Sequence, residues 1–111
     1  MDRALVFAKF QGKCAYCGIG LAKSWQVDHA HPKYRGGTDD LENLMPACAR
    51  CNRWKATFTI DEFRGEIEAQ IGRLARDSGA FRLAHDFALL TFTNQPPLFH
   101  FERAHLPPRQ H

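Results

Sequence analysis

Residues 14–55 read CAYCGIGLAKSWQVDHAHPKYRGGTDDLENLMPACARCNRWK, with paired cysteines near both ends, Cys14-Ala-Tyr-Cys17 and Cys48-Ala-Arg-Cys51. Four cysteines in a 111-residue chain admit either disulfides or a metal site. Two CxxC pairs favour the metal, because together they supply four thiolates to one tetrahedral zinc at about 2.3 Å each. Such a centre has no open position, so the zinc it holds is structural. For a small core, metal binding worth on the order of 10 kcal/mol decides whether this part folds. A redox role for the CxxC pairs lacks the βαβ context that such motifs occupy.

Working outward, the rest of the chain is ordinary. With 44% hydrophobic and 24% charged residues, the composition fits one soluble domain over residues 1–111 and excludes a fibrous or disordered class. No apolar run approaches the roughly 18 residues of a membrane span. Lys9 follows only five consecutive apolar residues, too few for an export signal, so a cytoplasmic protein is expected. Charge is uneven: residues 1–58 hold nine Lys and Arg against five acids, whereas residues 59–111 come to −1. Positive charge thus gathers where the cysteines are, which suits a polyanionic partner, although four zinc-bound thiolates offset part of it.

Periodicity and punctuation divide the chain into three segments. Residues 2–10 predict a short packing helix that ends before Gly12. Residues 14–58 predict a knuckle turning at Gly18, a strand over Ser24–Asp28, a loop at residues 36–40, a short strand at residues 44–46 and a helix from Arg50 to Ala56. That order is β-β-α. Thr59 and Glu62 make a capping box with Phe58 and Phe63 as a hydrophobic staple. The helix beyond them carries one apolar stripe expected to be buried, Ile60, Phe63, Ile67, Ile71 and Leu74, and stops at Ser78-Gly79. Phe81, Ala84, Phe87 and Leu90 suggest a second helix; Leu98 to Arg103 reads as a strand, and residues 107–111 as a disordered tail.

The thirty residues between the cysteine pairs exceed the roughly 15–20 of a simple zinc ribbon, so the zinc braces an insert. That insert contains Asp28-His29-Ala30-His31-Pro32, Gly36-Gly37 and Asn43-Leu44, and the second pair runs into Asn52-Arg53-Trp54-Lys55. Taken in order as CxxC, DHxxP, GG, NL and CxxCNxxK, these motifs resemble the HNH endonuclease family over residues 14–56. The resemblance implies a small α+β fold: a ββα-metal (His-Me finger) motif braced by a four-cysteine zinc site, with additional C-terminal helices over residues 59–103. It also implies that His29 is the general base, that Asn43 orients it, and that Asp28 and Asn52 bind a catalytic metal. Asn52 stands where the family name has its last His, a variant common in the family.

Elementary chemistry agrees with these roles. Phosphodiester hydrolysis needs a deprotonated water, in-line attack and neutralisation of charge on the phosphate and leaving oxygen. A neutral imidazole suits the first task. The oxygen donors of Asp28 and Asn52 suit Mg2+ or Mn2+ rather than a thiophilic ion. Adjacent strand residues face opposite ways, so Asp28 and His29 serve one phosphate only if the strand ends there. Asn43 either fixes the chain beside His29 or merely caps the loop. His31 is a rival base or, more simply, a loop histidine.

Lys33, Arg35, Arg53 and Lys55 flank these residues and are candidates for DNA phosphate contact. Trp25 and Trp54 read as core, Tyr16 as knuckle packing, and His85, His100, His105 and His111 as structural or tail residues. The function expected is metal-dependent DNA cleavage, one strand per site, by a bacterial or phage-encoded protein. Cutting both strands needs a homodimer or two encounters. The alternative is an inactive zinc-ribbon DNA-binding or adaptor protein.

Overall fold

The computed structural model describes residues 1–93 and 95–103; the expected disordered tail at 107–111 lies outside them. The described chain forms two units, Met1–Ile60 together with residues 98–103, and Asp61–Pro97.

In the first unit, helix α1 (Arg3–Ala8) starts where the Asp2 carboxylate accepts from the Ala4 and Leu5 N–H groups, satisfying donors that a first turn leaves open. Strands β1 (Gln26–His29) and β2 (Leu44–Ala47) pair antiparallel, with Asp28 opposite Met45 and His29 opposite Leu44. Helix α2 (Ala49–Lys55) packs against both strands, and α1 against β2. This is the expected ββα order, beside a cluster of four cysteines. All four residues of β2 are buried. Pro46 is tolerated in it because, among the described residues, the sheet has only two strands, and its carbonyl accepts from the Ala15 N–H at 2.8 Å, tying the first cysteine knuckle to the sheet. The Lys9 ammonium adds a second tie, donating to the Leu41 carbonyl at 2.6 Å and to that of Leu44 at 2.8 Å.

Strand β1 begins two residues later than the sequence suggests. Ser24 and Trp25 belong to a turn instead, closed by the Trp25 N–H on the Ala22 carbonyl. Helix α2 ends one residue earlier than expected because Ala56 turns into positive φ. The expected strand at Leu98 to Arg103 is corrected to a one-turn helix, α5 (His100–Arg103). Alternating aromatics mimic a strand here, but the Glu102 carboxylate takes the Phe99 N–H at 2.9 Å and curls the segment. The His100 and Phe101 N–H groups donate to the Tyr16 and Ala15 carbonyls, and Phe99 and Phe101 meet the Tyr16 ring edge-on.

In the second unit, helix α3 (Ile60–Asp77) is followed at once by α4 (Gly79–Asp86). Ser78 ends one and caps the other, its hydroxyl accepting from the Phe81 N–H at 3.1 Å. Phe63 is buried, but Ile71 and Leu74 are more than two-fifths exposed, so the expected stripe is covered only toward its start. Helix α4 stops before Leu90 because Ala88 takes positive φ and the Leu89 N–H closes back on the Ala84 carbonyl. The Phe81 and His85 rings stack on Phe92. Among the described residues no helix is long and apolar enough to cross a membrane.

Phe99 is 2% exposed and Phe87 72% exposed. Phe99→Ala is therefore expected to cost about 3–5 kcal/mol, and Phe87→Ser less than about 0.5 kcal/mol, read as shifts in the urea unfolding midpoint.

Candidate active site and metal centre

The four cysteine sulfurs lie within 4.8 Å of one another. A tetrahedron with 2.3 Å metal–sulfur bonds has edges of about 3.8 Å, and Cys17 Sγ stands 3.8 Å from Cys48 Sγ. Gly18, at φ +80°, provides the backbone reversal that brings the first pair round. Backbone N–H groups of Tyr16 and Cys48 point at Cys14 Sγ, and that of Cys51 at Cys48 Sγ. These donors favour thiolates. Hydrogen bonding from the Cys51 thiol, aided by those N–H groups, lowers Cys14 to about 4. Burial raises Cys17, and the Cys14 thiolate together with burial raises Cys51 far above an ordinary thiol. Four thiolates cannot crowd together without a cation, and a zinc ion fits this donor set.

Strand β1 presents Asp28 and His29 to different surroundings, as alternation requires. The Asp28 carboxylate is buried, 8% exposed. Its Oδ2 accepts from the Tyr16 hydroxyl and lies 3.0 Å from the Lys55 ammonium. Lys55, at the end of α2, has no exposed surface and also donates to the His29 carbonyl at 2.9 Å. This corrects the expectation that Lys55 meets a DNA phosphate: its charge is spent inside the protein, because a buried carboxylate needs a partner. Arg53 and Arg35 are exposed, and so is Lys33, which pairs with Asp39 at 2.8 Å.

The His29 side chain is 21% exposed, and its Nε2 lies 2.8 Å from Asp39 Oδ1. Among the described residues, the Asn43 side chain bonds backbone only. Its Oδ1 accepts from the His31 N–H at 2.8 Å, and its Nδ2 donates to the His31 and Thr38 carbonyls at 3.0 and 2.8 Å. Its own carbonyl accepts from the Ala30 N–H at 2.9 Å. The amide thus staples the two ends of the loop that starts beside His29. His31 Nε2 is 2.9 Å from the Arg35 carbonyl, a loop bond, and a Cβ on Gly37 would collide with the His31 carbonyl. Asn52 is half-buried at the middle of α2, and its side-chain amide has no protein partner among the described residues.

Residues 14–58 match the family model of the HNH endonuclease. The HNH segment thus covers the cysteines, both strands and α2, and the match points to a nuclease. No curated protein and no solved structure matches the chain.

Three residues of the site carry little warning in the sequence. Tyr16 looks like knuckle packing, yet its hydroxyl reaches Asp28. Lys55 looks like a surface cation. Asp39 sits in a polar loop beside Asp40, with no local signal to separate the two. Trp54, expected in the core, is 52% exposed, whereas Trp25 is half-buried against Phe7 under the Arg3 guanidinium.

Two outcomes follow from this geometry. Zinc must displace the protons that raised pKa values keep on Cys17 and Cys51, so its apparent affinity falls on acidification, about tenfold per pH unit for each proton released; chelator competition between pH 8 and 6 measures the slope. Lys55→Met strands the Asp28 charge and is expected to cost about 3–5 kcal/mol, with much of the loss recovered in the Asp28→Asn/Lys55→Met double variant by urea unfolding.

Proposed function

We propose that this chain is a metal-dependent DNA endonuclease that hydrolyses one phosphodiester strand per site, with His29 as general base. The observation that carries this reading is an accessible imidazole at the end of β1, inside the HNH segment and held on a frame closed by the cysteine cluster. His29 takes a proton from a water. The resulting hydroxide attacks phosphorus in line with the bond to the 3′ oxygen; that bond breaks as the new P–O bond forms, and the departing 3′ oxygen takes a proton from solvent, leaving the 3′-hydroxyl and 5′-phosphate ends that the family resemblance implies.

Asp28 and Asn52 would hold the catalytic Mg2+ or Mn2+. The donor set fits a hard cation, because Asp28 Oδ1 and the Asn52 amide oxygen have no protein partner among the described residues. When bound, such an ion supplies neutralisation of charge on the phosphate and the leaving oxygen. Tyr16 and Lys55 hold Asp28 by its other oxygen and keep the carboxylate in place. Asn43 secures the loop that follows His29. Lys33, Arg35 and Arg53, all exposed, serve as phosphate contacts, and DNA affinity should fall with added salt.

One observation favours the inactive DNA-binding reading: a lysine already neutralises Asp28. The two readings separate in one experiment. Supercoiled plasmid is incubated with the zinc-loaded protein and Mg2+ or Mn2+, beside linear and single-stranded DNA. Nicked product is expected, with His29→Ala lowering the rate about 10²–10⁴-fold. Equal rates would remove His29 as the base. Salt-dependent binding with no product under either metal would establish the binding module instead.

A further inference from the structure

The geometry points to Asp39 as the positioning residue for His29, one that fixes which imidazole nitrogen receives the proton from water. The inference rests on the proposed nuclease reading and names a residue to which the HNH resemblance assigns no role.

An ionised carboxylate only accepts hydrogen bonds. Asp39 Oδ1 lies 2.8 Å from His29 Nε2, so the neutral ring carries its hydrogen on Nε2 and leaves the Nδ1 lone pair without a partner among the described residues. Asp39 is kept ionised chiefly by its hydrogen bond from Lys33 and secondly by that from His29, which together hold its carboxyl below the ordinary range.

The contact is built into the loop. The second oxygen of Asp39 accepts from Lys33 Nζ at 2.8 Å, and Lys33 stands in a 3-10 turn closed by the Arg35 and Gly37 N–H groups on the Pro32 carbonyl. On the other side, the Thr38 carbonyl is fastened by Asn43 Nδ2, the Thr38 hydroxyl donates to the Asp40 carboxylate at 3.0 Å, and the Asn43 N–H donates to the Asp40 carbonyl. Both chain neighbours of Asp39 are therefore held. Asn43 reaches the imidazole through this loop: its amide sets Thr38, Thr38 sets the Asp39 backbone, and the Asp39 carboxylate sets the ring.

Because the Asp39 side chain is 56% exposed, its truncation leaves the core intact and Asp39→Ala should fold. The test has two arms on the zinc-loaded protein. In the first, 15N and 13C NMR of the His29 ring reads the tautomer: Nε2–H is expected in the wild type, giving way to a mixture in Asp39→Ala. In the second, plasmid nicking is measured for Asp39→Ala, Asp39→Asn and both combined with His29→Ala. Asp39→Ala is expected to lower kcat about 10–100-fold, the usual scale for a partner that orients a functional imidazole, with KM little changed. Asp39→Asn keeps a carbonyl acceptor and recovers part of the loss. In the His29→Ala background Asp39→Ala adds nothing, because the two act as one unit. A wild-type ring protonated on Nδ1, or the same tautomer in wild type and Asp39→Ala, overturns the inference. So does a full additional loss in the His29→Ala background. Absence of nicking by the wild type would overturn the nuclease reading alone, and the NMR arm would still decide the Asp39 contact.

Discussion

An ammonium group with no exposed surface must find its acceptors inside the protein, and Lys55 finds them in the Asp28 carboxylate and the His29 carbonyl. That single side chain joins the end of α2 to the end of β1. A buried charge pair contributes little net stability by comparison with an apolar filling, since both groups lose water, but removing one partner is costly. Its geometric consequence is more direct. Lys55 holds the two residues that the HNH pattern singles out on β1, one by its side chain and the other by its backbone, so neither can shift without disturbing α2.

The same carboxylate connects this corner to the cysteine cluster. Tyr16 lies between the first two cysteines, its backbone N–H turned to Cys14 Sγ and its hydroxyl bonded to Asp28. Its ring is covered by Phe99 and Phe101, whose segment is hydrogen-bonded to the first knuckle. A chain of contacts thus runs from the C-terminal aromatics through Tyr16 to the candidate site. The cysteine cluster, by drawing residues 14–17 against residues 48–51, keeps this chain of contacts in register.

Much of the first unit was legible in the sequence. The cysteine spacing located the four-sulfur cluster, and the ordered motifs located both strands and α2, because ligand spacing and turn residues are local signals. Boundaries shifted by one or two residues where backbone turns at Trp25 and Ala56 decided them. The strand expected near the C-terminus became a helical turn because one carboxylate, Glu102, captured the Phe99 N–H, a competition that alternation of aromatics does not reveal. The stripe of α3 expected to be buried is covered only toward its start, because periodicity does not say what packs on an apolar face, and Ile71 and Leu74 stay more than two-fifths exposed.

The amino-acid sequence by itself determined the four-cysteine set and the ββα order, since both follow from residue type and spacing along the chain, whereas the choice of His29 as the base to test rests on the HNH resemblance and its exposure on the fold. Only the tertiary structure decided the partners. Lys55 is one of nine cations in the first 58 residues and Asp39 one of two adjacent acids, and nothing local distinguishes them. Lys55 became interior and Asp39 became the partner of His29 because the packing of α2 on the sheet and the stapling of the loop by Asn43 set which charges meet at hydrogen-bonding distance. Such meetings depend on positions in space that are many residues apart in the chain.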